Sequence, residues 1–141
     1  MSVERFIDTN LFIYQLEAAD ERKRDIADGI IRQGIETGNA CISYQVVQEC
    51  LNTVLRKAEV PLDHAGARSY LDHVLSPLLG VSASIDLYHR GLEIQVRYRF
   101  AFYDALIIAA ALEAGCTTLY SEDMQHGQRI DTLAIKDPFL A

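Results

Sequence analysis

The chain has 141 residues, of which 50% are hydrophobic and 23% are charged, and its 13 basic and 20 acidic side chains give a formal net charge of -7. This length fits a single domain over residues 1–141 and can bury a core without disulfides or a structural metal. The negative charge argues against binding nucleic acid through an excess of Lys and Arg. Acids gathered at one point to hold divalent cations would give the same total, so the position of each acid matters more than their number.

The cysteines and the apolar runs indicate the compartment. The three cysteines are widely separated among apolar residues, which favours buried thiols in a reducing cytosol over a zinc site: Cys41, Cys50 and Cys116. Glu4 and Asp8 argue against a signal peptide, and the longest apolar run, residues 105–112, is far shorter than the roughly 20 residues of a membrane helix. We therefore expect a cytoplasmic protein with no membrane partner.

Predicted strands and helices alternate along the chain. Short apolar runs predict five strands, at residues 3–7, 40–43, 78–81, 117–120 and 133–135. Apolar residues at three- and four-residue spacing predict helices between them, with Thr9 or Asn10 as the cap of the first and Pro61 at the start of the fourth. This alternation predicts an α/β fold with a parallel sheet covered by helices on both faces.

Parallel sheets of this kind bind ligands at the carboxyl ends of their strands, near the point where the strand order reverses. Two places meet this condition: Asp8, directly after the first strand, and residues 121–123, after the fourth. Asp8 is a candidate site acid, and its alternative role is that of a turn or capping residue. At the second place we choose Asp123 as the site acid and keep Glu122 in reserve, with an ordinary turn acid as the alternative.

Two further acids lie on predicted helices. Asp104 shares a helical face with apolar residues, and burying an unpaired carboxylate is costly unless a cation or hydrogen-bond donors compensate. Its alternatives are a helix cap or a buried ion pair with Arg97 or Arg99. Glu49 has polar helical neighbours and is a weaker candidate, supported by the position of its helix after the second strand.

Four carboxylates that converge from different elements suit hard divalent cations such as Mg²⁺ or Mn²⁺, which take oxygen ligands. Such ions activate water and neutralise the charge that develops when a phosphodiester is cleaved. The histidines do not have metal-site spacing, although His126, close after Asp123, is a minor candidate. Residues 97–100 interleave Arg with aromatic side chains, a pattern that fits RNA binding or ordinary core packing.

Several segments together resemble a known family. They are Phe-Ile-Asp-Thr-Asn at residues 6–10, Gln-Glu at 48–49, Tyr-Asp-Ala-Leu-Ile-Ile-Ala-Ala-Ala at 103–111, Leu-Tyr-Ser-Glu-Asp-Met at 119–124 and Asp-Pro-Phe at 137–139. This order resembles that of PIN-domain proteins, specifically the VapC-like toxins of bacterial type II toxin-antitoxin pairs, over essentially the whole chain. The Asp-Thr-Asn start is common by chance, but together with the Tyr-Asp-Ala-x-Ile-x-x-Ala helix it is a specific signature.

The resemblance implies a three-layer α/β/α sandwich with a five-stranded parallel sheet and an Mg²⁺- or Mn²⁺-dependent endoribonuclease. It implies an acidic quartet with polar support, in which the acids are Asp8, Glu49, Asp104 and Asp123 and the supporting residues are Thr9, Asn10 and Ser121. It also implies an RNA substrate, a homodimer and inhibition by a small cognate antitoxin whose tail occupies the acidic groove.

Two other functions stay open on the sequence. Phosphatases of the haloacid dehalogenase type also place an Asp at the end of the first strand, but they need a second Asp where this chain has Asn10. The non-catalytic alternative is a PIN-like module with weak or lost cutting activity that acts by binding a partner or RNA.

Overall fold

The computed structural model describes residues 3–17, 19–56 and 62–140. Within these ranges one sheet contains six strands: β1 Arg5–Ile7, β2 Ala40–Ser43, β3 Leu79–Val81, β4 Thr118–Tyr120, β5 Arg129–Ile130 and β6 Leu133–Lys136. Their order across the sheet is β3-β2-β1-β4-β6-β5. Every neighbouring pair is parallel except β5 with β6.

All five predicted strands are present and parallel to one another, but the predicted number of strands is wrong. The sixth strand, β5, pairs antiparallel with β6 at the edge of the sheet. It is only two residues long and joins β6 through a tight turn in which Asp131 has a φ of 53°. A strand of two residues has no apolar periodicity, and its polar surroundings are typical of a turn.

The described helices connect the strands. They are α1 Thr9–Leu16, α2 Glu21–Thr37, α3 Tyr44–Val54, α4 His64–Tyr70, α5 Ser76–Leu78, α6 Ile85–Tyr98 and α7 Phe102–Glu113, with a π-helical turn at Leu71–Leu75 between α4 and α5. The described part of α4 begins after its cap, Asp63, which accepts a hydrogen bond from the Gly66 amide. The predicted start at Pro61 lies outside the described residues.

The cap of α1 differs from the prediction. Asp8, rather than Thr9 or Asn10, is the capping residue, and its carboxylate accepts a hydrogen bond from the Thr9 amide. Thr9 and Asn10 lie one and two positions further on, inside the first turn of the helix. The capping role that was the alternative for Asp8 is therefore real, and it leaves the other carboxylate oxygen free to make a second contact.

Helices cover both faces of the sheet. Successive residues of a strand point to opposite faces, and the neighbours Phe6 and Ile7 in β1 are both fully buried. The same holds for the successive buried residues Cys41 and Ile42 in β2. The predicted α/β/α layering is confirmed. The helices on the two faces leave the carboxyl ends of the central strands uncovered.

The predicted burial of the cysteines is confirmed. All three cysteines are buried and form no disulfide. Among the described helices, none combines the length and apolarity needed to cross a membrane.

Candidate active site

The carboxyl ends of two central strands lie side by side at the point where the strand order reverses. β1 is followed in the chain by strands on one side of it, and the chain returns to its other side with β4. Asp8 directly follows β1, and its amide donates a hydrogen bond to the Tyr120 carbonyl at the end of β4, at 3.0 Å. This is the place at which parallel sheets bind ligands.

A cavity of about 380 Å³ opens at this edge. It is lined by all four predicted acids and by two of the three predicted supporting residues: Asp8, Glu49, Asp104, Asp123, Thr9 and Asn10. Two more acids, Glu17 and Glu122, also line it. None of the described lining residues is Lys, Arg or His. The cavity is therefore strongly acidic, and its walls offer mainly oxygen atoms.

Other lining residues were not predicted from the sequence: Ile13, Tyr14, Glu17, Gln45, Thr53 and Ile107. One signal was available, because Asn10, Ile13, Tyr14 and Glu17 follow three- and four-residue spacing and so share one face of α1. Once Asn10 is a site residue, the rest of that face should line the same cavity.

The tripeptide at residues 8–10 organises three of the four acids. The Thr9 amide donates to Asp8 Oδ1 at 2.7 Å, and the Thr9 hydroxyl donates to Glu49 Oε1 at 3.0 Å. The Asn10 side-chain amide donates to Asp123 Oδ2 at 3.1 Å. These bonds reach from α1 to α3 and to the segment after β4, so the start of α1 holds carboxylates from distant parts of the chain in fixed positions.

Asp8 is the most buried of the acids, with 6% of its surface exposed. Its pKa is raised from 3.8 to about 7, mainly by burial. The hydrogen bonds from Ser121 and the Thr9 amide lower the pKa and so oppose this rise, and the negative charges of Glu49 and Asp123 add to it. The Ser121 hydroxyl donates to Asp8 Oδ2 at 2.8 Å, which places Ser121 behind Asp8 rather than in the cavity wall. Asp8 thus carries a charge that its surroundings only partly compensate.

Asp104 differs from the sequence expectation of a deeply buried carboxylate. It lies in the first turn of α7 and is half-buried, and burial and the charge of Asp123 raise its pKa. Neither alternative holds: Ala101 is the cap of α7, and Asp104 forms no ion pair within the described residues. The start of a helix favours a negative charge, which opposes part of this rise in the pKa, and the side chain faces the cavity.

Glu122 and Asp123 are neighbours in sequence but have different surroundings. The Tyr14 hydroxyl donates to one oxygen of Glu122, and the Lys23 ammonium forms an ion pair with the other. Asp123 is exposed, and its described side-chain partner is the Asn10 amide. Because the charge of Glu122 is already compensated, Asp123 is the better candidate for a fourth cation ligand.

The family model described as PIN domain matches residues 5–129. The chain belongs to the PIN-domain family. No curated protein sequence matches the chain significantly.

Solved structures share this PIN-domain fold. DNA-bound VapBC from Salmonella typhimurium superposes with a TM-score of 0.68 at 17% identity, covering 96% of this chain and 98% of that chain. A toxin-antitoxin complex from Klebsiella pneumoniae gives 0.66 at 17% identity with the same coverages. VapC20 of Mycobacterium tuberculosis, described as a toxin that cleaves the sarcin-ricin loop, gives 0.61 at 21% identity, covering 85% and 90%.

The donor atoms of this PIN domain fit a hard divalent cation. Carboxylates and the hydroxyl and amide oxygens of Thr9 and Asn10 are the ligand types that Mg²⁺ and Mn²⁺ prefer, and the partly compensated charge of Asp8 favours a cation beside it. Within the described residues, no three His, Cys, Asp or Glu side chains are grouped closely enough to hold a metal ion as they stand. Binding therefore requires the carboxylates to turn toward one another.

Two minor candidates lie away from the PIN-domain cavity. His126 Nδ1 accepts a hydrogen bond from the Asp137 amide at 3.0 Å, so this side chain stabilises the segment after β6. Arg97 and Tyr98 line a separate cavity of about 80 Å³ between α6 and the β5-β6 turn. Neither group is among the residues that line the acidic cavity.

Proposed function

We propose that this chain is an Mg²⁺- or Mn²⁺-dependent endoribonuclease, consisting of one PIN domain over residues 1–141 and acting as the toxin of a type II toxin-antitoxin pair in the cytoplasm. The observation that carries the proposal is the cavity at the end of β1 and β4, in which four acids from different elements converge and three of them are fixed by residues 8–10. Such a site on a PIN fold suits hydrolysis of RNA phosphodiesters.

Each residue has a role in the proposed reaction. Asp8 and Asp104 would hold a divalent cation, with Glu49 and Asp123 completing the site. The bound cation would activate a water and neutralise charge on the phosphate. Ser121 and the Thr9 amide orient the Asp8 carboxylate through 2.8 Å and 2.7 Å hydrogen bonds. Thr9 and Asn10 orient Glu49 and Asp123 in the same way.

The test is cleavage of single-stranded and looped RNA with Mn²⁺ or Mg²⁺, compared with the same reaction in EDTA. We expect cleavage by the wild type and loss of at least about a hundredfold in Asp8→Asn and Asp104→Asn, because each removes a charged ligand. Asp25→Asn is the matched control, since Asp25 is an exposed acid on α2 far from the cavity lining. Undiminished cleavage by both site variants would overturn the proposal.

A binding-only function is the second candidate. In this case the chain is a catalytically weak PIN-like module that would act by binding a partner or RNA through the same acidic cavity. Tight Mn²⁺ binding to the wild type, with no cleavage of any RNA offered, would support this candidate over the ribonuclease.

The proposed protein partner is a small cognate antitoxin that inhibits by occupying the acidic cavity. Similar folds occur in toxin-antitoxin complexes, including the one from Klebsiella pneumoniae. A cavity with six lining acids and no basic lining residue suits an arginine- or lysine-bearing tail. Co-expression with the product of the adjacent reading frame should yield a stable complex without RNA cleavage. Glu49→Gln and Asp123→Asn should weaken that complex.

We also propose a homodimer formed through the apolar face of α6. Ile85, Tyr88, Leu92 and Val96 follow three- and four-residue spacing and are 70%, 37%, 49% and 81% exposed. A twofold, antiparallel arrangement about Leu92 places Tyr88 opposite Val96 of a second copy.

The oligomeric state tests this interface. Leu92→Glu places two like charges at the twofold axis and should give a monomer by light scattering, whereas Leu140→Glu, at another exposed Leu, should not. A dimer that survives Leu92→Glu would exclude this face as the interface.

A further inference from the structure

A second cavity of about 310 Å³ lies beside the acidic one and shares Gln45 and Glu49 with it. Its remaining lining residues are Gln48, Asn52 and Tyr103. The shared residues make the two cavities adjacent, with Gln45 and Glu49 between them. Glu49 is the only described lining residue of the second cavity that carries a charge.

One wall of the second cavity is a row of amides on α3. Gln48 and Asn52 are four residues apart, so their side chains lie on the same side of the helix. Both are exposed, and neither makes a side-chain hydrogen bond within the described residues. Each amide offers a donor and an acceptor, the combination that the polar edge of a nucleobase presents in return.

The aromatic side chain of Tyr103 also lines the second cavity and is 65% exposed, so one face of its ring is accessible to a ligand. Tyr103 directly precedes the candidate site acid Asp104. The ring packs edge-to-face on Phe102 at 5.6 Å between centroids. The buried Gln45 side chain donates to the Tyr103 carbonyl at 3.1 Å, which fixes the start of α7 against α3.

We propose that the second cavity is a nucleobase subsite for the nucleotide that flanks the cleaved phosphodiester, an inference that rests on the proposed ribonuclease function. Tyr103 stacks on the flat face of the base, and Gln48 and Asn52 hydrogen-bond to its edge. Because no described lining residue is basic, this cavity is unsuited to a phosphate group and selects a neutral, flat ligand with a polar edge. The subsite would give the enzyme a base preference at the cleavage position.

The first test uses the four free ribonucleosides, which carry no phosphate and need no cation. Saturation-transfer NMR in EDTA should show transfer to the base protons of at least one nucleoside with the wild type and with Tyr103→Phe. The signal should disappear in Tyr103→Ala and fall in Gln48→Ala and Asn52→Ala. Gln33→Ala is the matched control, because Gln33 is an exposed amide on α2 outside both cavities. Equal signals from the wild type and Tyr103→Ala would overturn the subsite.

The second test measures cleavage of oligonucleotides that differ only at the nucleotide flanking the cut. We expect Tyr103→Ala to raise KM about tenfold for the preferred base and to reduce the preference, since base stacking on an aromatic ring has a strength of this order. We expect kcat to change by less than about threefold, because Tyr103 binds the base rather than the reacting phosphate. A lowered kcat with unchanged KM and unchanged preference would contradict the proposal.

The outcomes separate this inference from the ribonuclease proposal. Nucleoside binding that depends on Tyr103, in a protein that cleaves no RNA, supports the subsite and rejects the catalytic function. RNA cleavage with no dependence on Tyr103, Gln48 or Asn52 supports the function and rejects the subsite. If Tyr103→Ala leaves cleavage unchanged but weakens inhibition by the co-expressed antitoxin, the cavity binds a peptide side chain and the nucleobase assignment is overturned.

Discussion

The Ser121 hydroxyl donates a hydrogen bond to the Asp8 carboxylate at 2.8 Å and so joins the ends of two neighbouring parallel strands through buried side chains. A hydrogen bond to a charged group contributes about 1.5–3 kcal/mol. The same hydroxyl accepts a bond from the Asp123 amide at 3.3 Å. One small side chain thus stabilises both a candidate metal ligand and the segment that bears another.

We predict that Ser121→Ala lowers the free energy of unfolding at pH 8 by about 1–3 kcal/mol, because it leaves Oδ2 of the buried Asp8 carboxylate without its donor while Oδ1 keeps the Thr9 amide. Ser43→Ala is the matched control. Ser43 is equally buried, but its hydroxyl has no hydrogen-bond partner within the described residues. Removing that hydroxyl should leave the stability unchanged or raise it. Urea denaturation of the two variants measures both effects, and equal destabilisation would contradict the assigned role of Ser121.

The raised pKa of Asp8 predicts that the cation-free protein becomes less stable as the pH rises. The pKa is 3.8 without perturbation and about 7 in the fold, so the folded chain binds more protons than the unfolded chain between these values. The free energy of unfolding should therefore fall from about pH 4 to pH 7 and level off above, by at most roughly 4 kcal/mol from this group. Asp104, whose pKa is also raised, contributes with the same sign.

Asp8→Asn should remove most of that pH dependence, because the amide keeps an acceptor for the Thr9 amide without a charge. In EDTA at pH 8 we expect this variant to melt at a higher temperature than the wild type, and at pH 4 at nearly the same temperature. Asp25→Asn, at an exposed acid, should show neither effect. A lower melting temperature for Asp8→Asn than for the wild type at pH 8 would show that burial of the Asp8 carboxylate does not destabilise the fold.

The predictable part of this fold is the part set by local pattern. Apolar runs gave all five parallel strands, and the strand-end rule brought Asp8 and Asp123 to one cavity. β5 was missed because two residues carry no periodicity. The sequence offers capping only as the alternative role of Asp8, because Thr9 and Asn10 are equally good capping residue types and only the backbone conformation distinguishes the three.

Contacts between residues that are distant in the chain could not be predicted from the sequence. Lys23 and Glu122 are 99 positions apart and lie in a charged helix and a turn, where each is typical of a solvated surface. This ion pair compensates the charge of Glu122 and leaves that of the adjacent Asp123 uncompensated within the described residues. The spacing of residues in the sequence does not show which of the two acids has such a partner. Asp104 was expected to be buried because its helix is apolar, but its position in the first turn leaves it at the rim of the cavity.

The different surroundings of Glu122 and Asp123 predict different effects on cation binding. A ligand that binds only the folded state stabilises it by about 2.7 kcal/mol at a hundred times its Kd. We expect Mn²⁺ to raise the melting temperature of the wild type and of Glu122→Gln, and to have a smaller effect on Asp123→Asn and the least on Asp8→Asn. Mn²⁺ stabilisation that is lost in Glu122→Gln but kept in Asp123→Asn would reverse the assignment of the fourth ligand.

The close approach of α2 to the sheet depends on Gly34. A Cβ at this position would lie 2.6 Å from the Ala40 Cβ in β2, a contact that requires the helix to move away from the strand. Gly29, five residues earlier in the same helix, has no atom within 4 Å of the equivalent position.

Gly34→Ala should therefore destabilise the protein by about 1–3 kcal/mol through overpacking. Gly29→Ala should stabilise it by up to about 1 kcal/mol, because Ala favours the helix more than Gly does. The two variants differ only in the position of one added methyl group. Their melting temperatures therefore measure how tightly α2 packs on β2. Equal melting temperatures would contradict the close approach of α2 to the sheet.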